Sequence, residues 1–310
     1  MLENKKYGFQ PRRTLGKTGF QATLLGIGDV ADRQLSLADC ATVVRRAMDV
    51  GLNVIDTAPG YEDGYSEEIV GEALRGRRNG MFVIDKIDHH DRPVTAQVEE
   101  SLQRLKLDHT DAFVFHGVSQ IESWKKIALP GGPLAELGRC VQAGKTRFRG
   151  ISAHHPDVLQ AAILSGLCDV VLFPIGPFCD RRYEEIILPL ARAHGVGTVC
   201  FKTFGAGKLV GDTTGYNRPL QTRPRGKISS GGEGSQPILP HLKPADCVHY
   251  TLTCDPDVAL LGLSFPNEQD EAFAAAKNFK PLTAERMAEI RREAAAAMAG
   301  KGPCWWNPTT

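Results

Sequence analysis

Four residues of this chain combine into a set suited to moving a proton: Asp56, Tyr61, Lys86 and His116. Asp56 ends the apolar run Asn53-Val54-Ile55, and Tyr61 follows five residues later on a loop through Pro59 and Gly60. Lys86 interrupts the apolar run in FVIDKID, and His116 follows DAFVF. A free phenol has a pKa of about 10, too high for an efficient acid near neutrality. An ammonium beside it stabilises the phenolate and is expected to lower that value, with Asp56 keeping the lysine charged and in place. His116 is then free to hydrogen-bond a carbonyl oxygen and orient it. An acid that protonates a carbonyl oxygen needs a hydride delivered to the carbon, which implies a nicotinamide cofactor. Each residue also has a plainer reading. Asp56 can cap a loop, Tyr61 can cover an apolar edge, Lys86 can snorkel to water, and His116 can bond a backbone carbonyl in the core. What separates the two readings is whether the fold brings the four together.

The rest of the chain predicts that it does. A small hairpin over residues 12–20 turns at Gly16-Lys17-Thr18-Gly19. A first buried strand at 23–28 leads to a helix at 37–50 capped by Ser36. Strand and helix then alternate at one pace. Strands are expected at 53–55, 81–84, 111–115, 148–151, 170–173, 197–201 and 258–261. Helices are expected at 67–75, 94–105, 133–143, 156–165, 183–193, 244–252 and 268–276. A last Ala-rich helix over 283–298, capped by Thr283, precedes the tail CWWNP, read as an apolar flap packed back on the body. Eight buried strands, each followed by a helix, predict an α/β fold of the (β/α)8 TIM-barrel type: one barrel domain over 1–310, with an N-terminal β-hairpin, a long loop after strand seven at about 205–243, and a C-terminal helix and tail over 283–310. An open doubly wound sheet would start with a Gly-rich phosphate turn, and Gly26-Ile27-Gly28 lacks its third glycine. In a barrel, the residues just past the strands share one rim. That rim collects Asp29, Asp56, Tyr61, Lys86, His116, the run Ser152-Ala153-His154-His155, Phe201-Lys202 and Gly262-Leu263-Ser264.

Composition bounds the partners. The chain has 310 residues, 42% apolar and 24% charged, enough for a large core, and a formal charge of +1. No nucleic-acid or acidic-membrane partner is indicated. No apolar run approaches membrane-spanning length, and the first thirteen residues lack the apolar core of a signal peptide. The eight cysteines include no CxxC pair. They read as reduced thiols of a cytoplasmic protein, with no structural zinc.

DTAPGYEDGYSEEIVGEAL, with the lysine of FVIDKID and the histidine of VFHGV, resembles the aldo-keto reductase signature, and the resemblance runs from the hairpin to GLSFPNEQ after strand eight. It implies a catalytic set of Asp56, Tyr61, Lys86 and His116, and NADPH as the usual hydride donor, with NADH possible. Ser152 fits the serine that bonds the carboxamide, but Ala153 stands where Asn is usual. Leu172 replaces a common Gln, and Gly176 a common Asn. Phe201 holds the position of the aromatic that stacks on the nicotinamide. Gly205 and Gly207, in FGAGKL, match the loop that passes the pyrophosphate. Gly262, Ser264 and Gln269 match positions at the adenosine end, and Asp29 is counted with the cofactor residues. No Arg or Lys follows Gly262 to grip a 2′-phosphate. Lys202 or Lys208 would have to supply that cation, or both are solvated loop charges.

The expected activity is therefore that of an oxidoreductase interconverting a small-molecule carbonyl and its alcohol, the substrate and the oligomeric state remaining open. One rival is a metal-dependent barrel hydrolase or isomerase using His116, His154 and His155. Others are a non-catalytic barrel that binds the cofactor, and a redox-neutral epimerase or lyase working through a transient ketone. Trp124, Trp305 and Trp306 either wall a substrate or bury loops, with burial expected for the tail pair.

Overall fold

Short runs of Val, Ile, Leu and Phe, buried on both faces, form parallel strands when helices cover them from outside. A computed structural model describes residues 8–210, 240–262, 266–301, 304 and 306–308. Within these, β1 (Arg13–Thr14) and β2 (Gln21–Ala22) form an antiparallel hairpin. The strands β3 (Leu25–Ile27), β4 (Val54–Asp56), β5 (Phe82–Ile87), β6 (Thr110–Phe115), β7 (Thr146–Ser152), β8 (Val170–Pro174), β9 (Gly197–Phe201) and β10 (Val258–Leu261) follow. All pair in parallel in chain order, and β10 pairs with both β9 and β3, so the barrel closes. The expected (β/α)8 barrel is what is found.

The helices are α1 (Leu37–Asp49), α2 (Tyr65–Leu74), α3 (Val94–Leu105), α4 (Ile121–Ile127), α5 (Pro133–Gln142), α6 (Pro156–Leu164), α7 (Leu188–Ala193), α8 (Pro244–Cys254), α9 (Pro266–Lys277) and α10 (Ala284–Met298). Ser36 and Thr283 cap α1 and α10 as expected, their side chains accepting from the N–H groups of Asp39 and Arg286. The helix expected over 183–193 starts as a π-helical turn at Tyr183–Ile187 before α7. Pro189 in the first turn of α7 has no N–H to donate back, which favours this irregular start.

The barrel interior is filled by alternate residues of the strands, among them Val54, Phe82, Ile84, Val114, Leu172 and Val199. Its floor is plugged by the hairpin. Leu15 is wholly buried there, and the N–H of Lys17 donates to the Gly195 carbonyl at 2.6 Å. Gly16 is required at this contact: it has φ of 46°, and a Cβ would lie 2.2 Å from the Gly197 nitrogen. With the floor sealed, the open end of the barrel is the end where the four polar residues lie.

The structure refines the reading of three places, and Trp306 is buried as expected. β5 runs on to Ile87, so Lys86 lies inside the strand and not past it. The loop carrying Trp124 contains α4, and Trp124 is a core residue packed with Ile127 and Leu134, so it walls no substrate. Of the tail tryptophans, Trp306 is fully buried, its Nε1 donating to the Phe178 carbonyl at 3.2 Å. Trp305 and most of the long loop after β9, residues 211–239, lie outside the described residues. The eight cysteines are unpaired, and among the described residues no helix is long and apolar enough to cross a membrane.

Candidate active site

Asp56 is the last residue of β4 and sits in register with Ile84 of β5. Side chains alternate along a strand, so Lys86 shares the inward face with Ile84, one pleat nearer the mouth. Its Nζ donates to Asp56 Oδ2 at 2.7 Å and to the Thr57 carbonyl at 2.6 Å. Both side chains are buried. Burial alone would push the ammonium down, but Asp56 and the adjoining Tyr61 outweigh it and hold Lys86 above its ordinary value. Asp56 Oδ1 has no partner among the described residues.

Tyr61 comes next on a tight loop, its N–H donating to the Ala58 carbonyl at 3.1 Å. Glu62, Asp63 and Gly64 then all take left-handed conformations, with φ of 49°, 51° and 84°. Two consecutive non-glycine residues in that region are strained. Arg33 reaches across to the carbonyls of Glu62 and Asp63 and braces the turn. The Lys86 ammonium lies 4.5 Å from the Tyr61 ring centre, on its face. The His116 ring stands edge-on to Tyr61, with centres 5.5 Å apart and planes at 84°. The fold thus brings Asp56, Tyr61, Lys86 and His116 together.

The electrostatics differ from expectation in one respect. Lys86 does pull the phenol down, but burial is the larger effect, and Asp56 and Asp29 add to it, so Tyr61 is pushed up to about 12. The lysine was expected to lower the phenol below its ordinary value. In the free protein desolvation wins, and the phenol stays protonated through the neutral range.

On the outer face of β5, Asp85 is fully buried, with Oδ1 accepting from the Lys86 N–H at 2.8 Å and Oδ2 without a partner among the described residues. Burial and the neighbouring Glu67 of α2, itself gripped by Arg104 of α3, raise its carboxyl well above the ordinary 3.8. A raised carboxyl favours folding below its unfolded value, and that stability is lost as pH rises through the folded one. Asp85→Asn is therefore expected to raise the melting temperature by a few degrees at pH 8 and by less at pH 5. Thermal unfolding at the two values checks this, and a variant less stable than the parent at both would refute it.

On the cofactor side, Ser152 is buried at the end of β7 in register with Leu172, and its carbonyl accepts from Val118. Phe201 lies partly open at the mouth end of β9, with the His154 ring at 5.3 Å and Lys202 Nζ at 5.4 Å. Burial, reinforced by Lys202 and His116, pulls His154 down to about 3, so it is neutral. Lys202, Gly205, Ala206 and Gly207 are all left-handed, which curls the loop tightly. The N–H groups of Gly205 and Gly207 turn inward to the carbonyls of Lys202 and Phe204. Asp29 opens the loop after β3, with Oδ1 accepting from the Ala31 N–H, and a Cβ on Gly262 would lie 3.2 Å from its carbonyl.

Two residues on the cofactor side have surroundings that the sequence does not reveal. Gln269 is buried in the seam between α9 and α1, its Oε1 accepting from Arg46 and its Nε2 donating to the Val43 carbonyl, both at 2.9 Å. Lys208 is buried, 5.8 Å from the Trp306 ring, and is not a solvated loop charge. Ser264 lies outside the described residues.

The histidines proposed as metal ligands have other work. His155 caps α6, its Nδ1 accepting from the Asp157 N–H. His116 Nδ1 is 2.6 Å from Asp88 Oδ1. No group of three or more metal-ligating side chains forms among the described residues. Asp88, which pairs with His116 here, is the residue of this site that sequence reasoning passed over. The available signal was period two: in KID, residue 88 follows Lys86 on the same strand face.

The sequence model of the Aldo/keto reductase family matches residues 24–293. Aldo-keto reductase YhdN of Bacillus subtilis (strain 168) is 28% identical over 224 residues, which are 65% of this chain and 64% of that protein. The NADH-specific methylglyoxal reductase of Escherichia coli (strain K12) is 26% identical over 227 residues, 65% of this chain and 67% of its own length. The match to YhdN thus covers a little under two thirds of that relative. Among solved structures, aldo-keto reductase AKR11C1 from Bacillus halodurans in its holo form is similar with a TM-score of 0.67 and 25% identity, over 91% of this chain and 95% of that one.

Proposed function

The chain belongs to the aldo/keto reductase family, and we propose that it is an NAD(P)H-dependent oxidoreductase that interconverts a small-molecule carbonyl and its alcohol. The observation that carries this reading is the convergence of Tyr61, Lys86, Asp56 and His116 at the open end of a barrel whose floor is sealed.

The residues present fit a nicotinamide cofactor in outline. Thr203, just past β9, is buried with its Oγ1 lacking a partner among the described residues, an unsatisfied group of the kind a bound ligand relieves. Phe201 offers an aromatic face beside it, and Ser152 a hydroxyl on the neighbouring side of the mouth. We assign Ser152, Phe201, Lys202, the Gly205–Gly207 turn, Asp29 and Gly262 to the cofactor side, and leave out Gln269, whose amide α1 already takes. When bound, the reduced nicotinamide supplies a hydride to the carbonyl carbon. The protein's share is to orient the carbonyl oxygen with His116, deliver a proton to it from Tyr61, and keep a fixed cation, Lys86, beneath the phenol ring. Asp56 holds that cation.

The E. coli relative is an NADH-specific methylglyoxal reductase, which makes small aldehydes of the 2-oxoaldehyde class the first substrates to try and NADH a donor to test beside NADPH. A panel of aldehydes, ketones and sugars should be read by nicotinamide absorbance with NADPH and NADH in parallel. Carbonyl-dependent oxidation of either donor is expected. A protein that binds the cofactor yet turns over no carbonyl, and no alcohol in reverse, would overturn the reading.

A further inference from the structure

We propose that Asp88 is a positioning residue that sets the hydrogen placement on His116 and the seat of the Tyr61 loop with a single carboxylate. Asp88 lies just past β5. Its Oδ1 is 2.6 Å from His116 Nδ1, and its Oδ2 faces the loop that carries Tyr61. A Cβ on Gly60, the residue before Tyr61, would lie 2.5 Å from Oδ2, so any other residue here would push the carboxylate aside, although the φ of Gly60 is unexceptional. Burial would push the Asp88 carboxyl up, but His116, which bonds it, and the Gly60 backbone amide beside it carry it below its ordinary value, so it is an acceptor at neutral pH.

The position of Asp88 is itself determined by several bonds. The Gln97 amide of α3 accepts from the His89 N–H at 3.0 Å and donates to the His89 carbonyl at 2.8 Å, which fixes the start of the loop. His90 Nε2 lies 2.9 Å from the His116 carbonyl, tying the next residue to the backbone of the imidazole. The carboxylate is therefore held from both sides while it holds His116 and Gly60.

The chemical consequence follows from donor and acceptor roles. An ionised carboxylate only accepts, so the hydrogen in the Asp88–His116 bond belongs to Nδ1. That leaves Nε2 as the imidazole atom available to a substrate oxygen. With a proton on Nε2, His116 donates to a carbonyl oxygen during reduction; without it, the Nε2 lone pair accepts from an alcohol hydroxyl during oxidation. The titratable groups that face the ring are Asp88 and His90 from the loop after β5, Asp56 of β4, Tyr61, and His154 after β7. An Asp–His pair of this kind works by fixing the ring and its tautomer, and replacing the Asp by Asn in such pairs costs up to about 10⁴ in turnover through the wrong tautomer.

The inference rests on the reading of His116 as the group that meets the substrate oxygen, so the test has one arm that needs no turnover. The ¹⁵N shifts of the His116 imidazole are measured by NMR in the cofactor-free protein and in Asp88→Asn, alongside kcat and KM. The expected result is hydrogen on Nδ1 in the parent and a shift toward hydrogen on Nε2 in the variant. With it, kcat for alcohol oxidation, the direction in which Nε2 must accept, should fall by about 10²–10³ while KM moves by no more than about threefold. Should Asp88→Asn not fold, Gly60→Ala takes its place: crowding Oδ2 is expected to lower kcat while Nδ1 keeps its hydrogen. A parent with no hydrogen on Nδ1, an unchanged imidazole in Asp88→Asn, or a changed imidazole with undiminished kcat would each refute the role of Asp88. A parent inactive toward every carbonyl but with the expected imidazole would instead refute the function and leave the positioning role standing.

Discussion

Tyr61→Phe is expected to lower carbonyl turnover by about 10³-fold, the usual worth of a positioned proton donor, while the affinity for NADPH or NADH stays within about twofold of the parent. The asymmetry comes from where the hydroxyl sits. The Tyr61 ring contacts Lys86 through its face and His116 at its edge, and a phenylalanine keeps both contacts. Only the proton is lost. None of the assigned cofactor contacts, at Ser152, Phe201, the turn after β9, Asp29 and Gly262, uses the Tyr61 hydroxyl, so binding should not register the change. Burial holds the phenol up to about 12, so the acid form persists across the neutral and mildly alkaline range. The parent's reduction rate is therefore expected to show no loss from phenol ionisation below about pH 11, one unit under that value. Single-turnover reduction together with cofactor titration by fluorescence checks both halves. Retained turnover in Tyr61→Phe would remove Tyr61 from the chemistry.

The barrel was legible because its signal is repeated. Each strand is a short apolar β-branched run, each is followed by an amphipathic helix, and eight repetitions leave few alternatives. Lys86 was visible for the same reason, as a charge inside a run that otherwise excludes charge. Other features depend on three-dimensional surroundings that spacing does not encode. The direction of the Tyr61 shift is set by how much water the fold removes from the phenol, and no local pattern reports that. Gln269 matched a cofactor position by alignment with its neighbours, yet its amide is taken up by Arg46 and Val43, residues more than two hundred positions away. Lys208 reads as a loop charge because it follows the glycine-containing run Gly205-Ala206-Gly207; in the structure it is buried, with Trp306 of the C-terminal tail beside it. Asp88 sits in DKIDHHD, a polar run that reads as an ordinary loop; period two after Lys86 is its one sequence signal, and it is the barrel that brings it against His116.

Lys86→Met should be the most damaging single change to stability in the site. Its ammonium is buried against Asp56 and the Thr57 carbonyl, and removing one partner of a buried ion pair costs about 3–5 kcal/mol because the other charge stays behind without compensation. Asp56 can relieve that penalty only by taking up a proton. Burial already pushes its carboxyl upward, and Lys86 is the main force opposing the shift, so the variant's Asp56 moves further up. A carboxyl raised on folding contributes stability that is present below its unfolded value and lost as pH rises through the folded one. The deficit of Lys86→Met relative to the parent is therefore expected to be smaller at pH 5 than at pH 8. Wild-type Lys86 behaves in the opposite part of the scale. Its value is raised above the ordinary 10.5, so its contribution is complete throughout the neutral range and fails only in strong alkali. Asp56→Asn combined with Lys86→Met removes the stranded charge and should recover most of the lost stability at pH 8. It should recover none of the activity, since the cation that favours phenolate as the proton leaves Tyr61 is still missing. Denaturant unfolding of the two variants at both pH values, with turnover measured in each, separates these outcomes. If the double variant were as unstable as the single one, the ion pair would not be the source of the loss. If it were as active as the parent, Lys86 would be a packing residue, and the proton-transfer role of Tyr61 would have to stand without it.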